Sequence, residues 1–349
     1  MLLAFTICSN NYLSEAITLG SSLVLNGMPP DNFFIFLVDI YHKDIPYDQI
    51  PFSVLEVNDQ IVPEFDKIRN KFNIVELNTS VKPSIFKYLI SHNPGDNIFA
   101  YIDPDVFFYH NSFDSISQEL ADNSILLTPH ITRPLSLNTH PFESIFLNYG
   151  IYNLGFIAMK ADDQTAHLLD WWEERTINLG FNDVSKGLFV DQLWMNLAPI
   201  FFDRIKITKH PGYNIAYWNI NERHIFKKDN LYFVDINHPL IFFHFSSFDM
   251  SLCSLSKRVH NKPEFNYPIL NELMELYKLE LEKNGYYFYR TIIPAYNLSF
   301  DNYIRRELND CYSSTIIKFM QKYRKYLPIK IIRKIAYYNK LIEALDKWN

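Results

Sequence analysis

Glycine is scarce, at 9 residues in 349. Glycine supplies the left-handed turns and close backbone approaches from which phosphate-cradling loops are built. Neither G-x-G-x-x-G nor G-x-x-x-x-G-K-[ST] occurs, so dinucleotide-fold and P-loop readings lose their main support. Cysteine is scarcer still. Cys8, Cys253 and Cys311 are too few and too scattered for a disulfide framework or a Cys-rich zinc site. Such usage fits a reducing compartment, and a cytoplasmic location is expected. No apolar run approaches the roughly 18 residues that span a bilayer. The opening MLLAFTICSNNY has neither a basic n-region nor a small-residue cleavage site, and it reads as a buried first strand rather than a signal peptide.

What the chain does have is apolar mass. Hydrophobic residues make up 48% and aromatic residues 16%, which argues for a sizeable core and against disorder. The length suits one large domain with an appendage, or two domains. Charge is unevenly placed. The net charge is −6, while residues 311–349 hold nine basic and two acidic residues, leaving the body strongly acidic. An acidic body disfavours nucleic acid as a partner. The basic, aromatic-rich tail resembles helices that lie on anionic membrane surfaces. A peripheral position on the inner face of the membrane is the expectation drawn from it, beside the alternative of a solvated helix pair.

Strands are expected at 2–8, 33–39, Val54–Val57, Ile74–Leu77, 97–103, Ile125–Thr128, Ile151–Lys160, Arg204–Thr208 and Leu240–Phe245. Helices are expected at 13–26 (Leu13, Ile17, Leu23 and Leu25 inward), 83–92, Gln164–Asn178, Asp191–Leu197 and 269–284. Runs without alternation, such as FFIFLVD, are those of strands covered on both faces. The alternation of strands and helices predicts an α/β fold with a mostly parallel sheet, whose ligands bind at the carboxyl ends of the strands. Asp39 and Asp103 fall at such ends. A helical region is expected beyond residue 260, dividing the chain into 1–260 and 261–349.

Five stretches carry candidate chemistry. In NIFAYIDPDVFFYHN, Asp103 and Asp105 stand two apart amid apolar residues. In extended backbone they would share a face, and two carboxylates so placed repel unless a cation lies between them. Oxygen ligands of this kind suit Mn²⁺ or Mg²⁺; the competing reading is a plain Asp-Pro-Asp turn. His244, in PLIFFHFSSFD, is either a core histidine or a ligand completing that ion's shell. Asp191 and Gln192, in FVDQLWMN, are either a helix cap or an acid–amide pair facing substrate. Asn153 and Gly155 interrupt an apolar strand, as a bulge or a ligand contact does. Finally, ICSNNYL ends the first strand with amide and aromatic groups able to grip a base, or with an Asx turn. The stretch KHPGYNIAYWNINER, 209–223, adds aromatic and amide groups suited either to sugar stacking or to the core.

The order of these stretches is more specific than any one of them. Asn10-Asn11-Tyr12, then Tyr101 with Asp103 and Asp105, then Tyr152-Asn153 with Gly155, then Asp191-Gln192 with Asn196, then His244-Phe245 with Ser247: this resembles nucleotide-sugar glycosyltransferases of the GT-A fold, most closely the family-eight type, over about residues 1–260. The resemblance implies that Asp103, Asp105 and His244 bind Mn²⁺ or Mg²⁺, which bridges the donor diphosphate. It implies uracil contacts from Asn11 and Tyr12 with Thr6 nearby, and a donor contact from Lys87. It places Asn153, Asp191 and Gln192 around the sugar and acceptor, with Asp191 and Gln192 as the catalytic pair. Retention of anomeric configuration is implied as well. The implied partners are a nucleotide sugar, probed first as a UDP-sugar, and an oligosaccharide or lipid-linked glycan acceptor.

Two departures stand out. Ser247 occupies a position where the family has glycine, and the family's following Lys-Pro-Trp is missing, leaving Lys257 or Arg258 as candidate phosphate-binding cations. Two other classes compete with a transferase. A binder on a degenerate transferase fold is opposed by the intact Asp103/Asp105/His244 set. An aspartyl-phosphate phosphatase would need a small hydroxyl residue where Phe107 stands.

Overall fold

The computed structural model describes residues 1–256 and 267–296. Strand β1 (Leu2–Cys8) lies between β2 (Phe33–Leu37) and β4 (Ile98–Ile102), parallel to both. β3 (Ser53–Glu56) extends the β2 edge in parallel. On the other side β7 (Tyr152–Lys160) runs antiparallel to β4 and to β6 (Ile125–Pro129). β8 (Ile205–Ile207) closes that edge, parallel to β6. The order is β8-β6-β7-β4-β1-β2-β3. The expected α/β class with a mostly parallel sheet is what the chain adopts.

Both faces of the sheet are covered, which is why its strands carry no alternation of polarity. Leu3, Phe5 and Ile7 of β1 pack on one side with Phe86 and Trp172. Ala4 and Cys8 pack on the other with Leu19 and Phe33. The first face is built by α3 (Lys82–His92) and α4 (Asp163–Leu179), the second by α1 (Leu13–Leu25). Leu25, expected to point inward, is 78% exposed at the end of α1.

Residues Ile74–Leu77 form no strand. They open helix α2 (Ile74–Ser80), because Asn73 caps it. The Asn73 side chain accepts from the Val75 and Glu76 N–H groups, and Glu76 reaches back to the Asn73 N–H. This reciprocal capping box satisfies donors that a free helix end would leave orphaned. The short apolar run is therefore one helical turn.

A two-stranded ribbon stands off the main sheet. β5 (Val106–Phe108) pairs antiparallel with β9 (Phe242–His244), placing His244 opposite Val106. Around it lies a third core, in which Phe243 and Phe245 pack with Ile215, Trp218 and the buried face of α5 (Pro268–Lys283). The Phe245 and Tyr277 rings stack 4.0 Å apart. The boundary expected at 260 falls within 257–266, outside the described residues, as do Lys257, Arg258 and the basic tail 311–349. No helix among the described residues is long and apolar enough to cross a membrane.

Candidate active site

The carboxyl ends of β1, β2 and β4 point the same way, and the candidate residues gather there. Asp103-Pro104-Asp105 leaves β4 as a turn closed by the Val106 N–H on the Asp103 carbonyl, 3.2 Å. The Asp-Pro-Asp turn, one of the two readings of the sequence, is thus present, with both carboxylates on it. The ribbon brings His244 onto it. Its Nε2 lies 3.0 Å from Asp105 Oδ1 and 3.6 Å from Asp103 Oδ2. One ligand atom from each of Asp103, Asp105 and His244 lies within 4.8 Å of the others.

The residues around this cluster fix its geometry. Asn214 Oδ1 lies 3.3 Å from His244 Nδ1. A proton on Nδ1 there would leave Nε2 free to face a cation held between the carboxylates, the arrangement metal-binding imidazoles use. Tyr101 donates its hydroxyl to Asp103 at 2.5 Å. Burial drives the Asp103 carboxyl above its usual range, with Lys82 and His244 opposing. Burial pushes His244 down, but Asp105 and Asp103 outweigh it and hold the imidazole above its ordinary value. Two carboxylates thus confront one imidazole in a half-buried pocket, where an added divalent cation relieves repulsion. An oxygen-rich set with one imidazole fits Mn²⁺ or Mg²⁺ rather than a thiophilic metal.

Gly155 is explained by this packing. A Cβ there would stand 2.5 Å from His244 Cε1, so only glycine lets β7 pass under the ring. The Asp103 N–H donates to the Gly155 carbonyl at 2.8 Å. Asn153 accepts from Asn214 Nδ2 at 3.1 Å and from the Gly155 N–H at 3.1 Å. Gln192 ties β7 to the chain before it, accepting from the Leu154 N–H (3.0 Å) and donating to the Tyr149 carbonyl (2.8 Å).

Asp191 is buried and ion-paired with Lys82 Nζ at 2.5 Å. Burial raises its carboxyl, and Lys82 opposes the rise. Lys82 Nζ also donates to the Leu154 carbonyl and sits 3.9 Å from the centre of the Tyr101 ring. Val190, just before Asp191, has φ 41°, a costly conformation for a β-branched residue. The expected helix at Asp191–Leu197 is a 3-10 turn over Leu193–Leu197 that Asp191 does not cap.

Lys87, expected to contact the donor, pairs with Glu173 and, at 2.7 Å, with Asp170 on α4, and is not among the described residues lining the cleft. Lys82, at the first position of the same helix, is the cation that reaches the site. Lys82 was not among the sequence candidates. Asn214 lay within the stretch left undecided between sugar contact and core. There the structure divides the roles: Tyr213 is core, Asn214 orients His244, Asn219 holds backbone, and Tyr217 and Trp218 line the cleft. The Trp218 ring meets His244 edge-on at 5.1 Å.

At the end of β1, Thr6 is fully buried, and Asn11 accepts from the Ser9 hydroxyl at 2.8 Å. Tyr12 is 37% exposed, and one ring face lies 4.0 Å from the Arg290 guanidinium. Ser247 adopts φ 61°. The serine that departs from the family pattern keeps the left-handed backbone that glycine favours.

The cluster opens into a cleft of about 800 Å³. It is lined by Asp103, Asp105 and His244, by Asn153, Gln192 and His130, and by Tyr149, Phe189, Tyr217 and Trp218. His130 is held neutral: burial lowers it to about 3.

Comparison with known proteins places this architecture in a class. A solved structure of galactosyltransferase LgtC, in complex with donor and acceptor sugar analogs, superimposes with TM-score 0.50 at 14% identity, covering 84% of this chain and 98% of that one. The chain has the GT-A glycosyltransferase fold. Among curated sequences it is similar to the uncharacterized protein YfnF of Bacillus subtilis (strain 168), 26% identical over 77% of this chain and 89% of that protein. It is also similar to the uncharacterized protein YfnD of the same strain, 25% identical over 63% and 70%. No family model matches the chain.

Proposed function

We propose that the chain is a divalent-metal-dependent glycosyltransferase that moves a hexose from a nucleotide sugar, UDP-linked, to a glycan or glycolipid acceptor with retention of configuration. The observation that carries this reading is the cluster of Asp103, Asp105 and His244 at the carboxyl end of β4, opening into a cleft with amide and aromatic walls. Those three residues would hold Mn²⁺ or Mg²⁺, which as a Lewis acid supplies charge for the leaving diphosphate.

The chain's own residues supply position. Asn214 and Gly155 set His244. Tyr101 orients Asp103. Asn153 and Gln192, which line the cleft, would meet the sugar hydroxyls, while Tyr149, Tyr217 and Trp218 offer the flat surfaces on which sugars stack. Asp191 is buried and neutralised by Lys82, so we assign it to holding that cation rather than to attack. Retention then follows from front-face delivery of the acceptor, helped by the leaving phosphate. Asn11, Tyr12 and Thr6 keep their proposed place near the base.

The test is a thermal-shift experiment on the full chain with Mn²⁺, UDP and both together, followed by UDP-sugar hydrolysis and transfer. The expected result is a joint stabilisation larger than either alone, lost in Asp105→Ala, with turnover of at least one UDP-sugar. A mutant that responds like the parent sinks the metal assignment. Joint binding with no turnover of any nucleotide sugar would make the protein a binder on a transferase fold.

A further inference from the structure

The cleft that holds the candidate metal cluster contains no lysine or arginine among its described lining residues. A nucleotide sugar brings a diphosphate, and the departing nucleoside diphosphate carries still more negative charge than the donor did. One divalent ion between two carboxylates is neutral overall, so the diphosphate needs a further cation. A second cavity, of about 40 Å³, shares Asp105 with the cleft, and Arg290 lines it together with Tyr12, Glu15 and Ser247.

Arg290 follows the short helix Tyr286–Tyr289, far along the chain from every motif of the site. Glu15, on the buried face of α1, pairs with it. The other Glu15 oxygen accepts from the Ser14 hydroxyl at 2.6 Å. The guanidinium lies 4.0 Å from the Tyr12 ring centre and 5.0 Å from that of Tyr286. Its Nε is buried without a hydrogen-bond partner. A guanidinium has five donors in a rigid fork that matches phosphate. Here aromatic faces and one carboxylate fix the fork, its Nε donor has no partner among the described residues, and Asp105 lines the same small cavity.

We propose that Arg290 is a diphosphate-binding cation of this site, presented by the segment after α5 and held in place by Glu15, Tyr12 and Tyr286. The proposal rests on the transferase reading above. It gives the segment after α5 a direct part in donor binding. It also links the nucleotide end of the site, at Tyr12, to the metal end, at Asp105, through one side chain.

The test is calorimetric, on the full-length chain in the presence of Mn²⁺, with uridine, UMP, UDP and inorganic pyrophosphate as probes. In Arg290→Gln, UDP and pyrophosphate should each bind about ten- to a hundredfold more weakly, the loss expected for hydrogen bonds to charged groups. Uridine binding and Mn²⁺ binding alone should not change. Arg290→Lys keeps the charge but not the fork, and should fall between parent and Arg290→Gln; it carries the test if Arg290→Gln does not fold. Undiminished UDP binding in both variants overturns the proposal. So does an equal loss for uridine and UDP, which would mark a purely structural clamp. A parent that binds no nucleoside diphosphate overturns the transferase reading, and this proposal with it.

Discussion

Gly155 shows how little freedom a single position has beside the cluster. A methyl group there would overlap the His244 ring, 2.5 Å from Cε1 and 2.8 Å from Nδ1. Gly155→Ala should leave the fold intact but turn the imidazole away from Asp105. The chain should then lose its stabilisation by Mn²⁺, which for a site at a hundred times its Kd amounts to about 2.7 kcal/mol. Melting curves with and without Mn²⁺ measure this; an unchanged Mn²⁺ shift would mean that His244 is no ligand. Ser247 offers the opposite case. At φ 61° a side chain costs roughly 1–2 kcal/mol, while glycine adds roughly 0.4–1 kcal/mol of unfolded-state entropy. Ser247→Gly should therefore be more stable, by up to about 1 kcal/mol, in urea denaturation. A loss of stability would show that the serine side chain contributes contacts of its own.

At the scale of elements, the clearest lesson is α2. Its first four residues, Ile74–Leu77, three of them apolar, fit a strand as well as a helix, and only the Asn73–Glu76 pair three residues apart decides. Asn73→Ala should cost about 1 kcal/mol, measured by urea denaturation, and Asn73→Asp should recover most of it. Equal stability of Asn73→Ala and parent would mean the cap is redundant. The rest of the fold was legible for a simple reason: strands buried on both faces read as unbroken apolar runs, and α1, α3, α4 and α5 show their inward stripes. The cluster was legible too, because Asp103, Asp105 and His244 are polar residues in greasy strands and recur in a recognisable order. Lys82 was not legible, since its meaning lies in a contact with Asp191 across 109 positions. A lysine at the start of a helix looks like a solvated side chain until the fold buries it. Asn214 was hidden likewise, because its role depends on a ring 30 positions further on.

Across the whole molecule, pH links the site to stability through His130. Its folded pKa is depressed to about 3 by burial, against an unfolded value near 6.5. Between these values the unfolded chain binds a proton that the folded chain refuses. Stability therefore rises with pH through that window, and is lost as pH falls, at roughly 1.4 kcal/mol per unit from this group alone. Chemical denaturation at pH 7.5, 6 and 5 should give a steeper fall for the parent than for His130→Gln. Identical slopes would show that the histidine protonates without unfolding.

The pairing of β5 with β9 has a consequence in time. Asp103 and Asp105 leave the ribosome 141 and 139 residues before His244, which β9 lays against them. A nascent chain that has formed β1, β2 and β4 already displays the acidic turn, yet lacks the strand that must lie against it. Under the proposed function the cation could be gripped only after residue 244 has been made and β9 has paired with β5, so loading would follow the assembly of the ribbon.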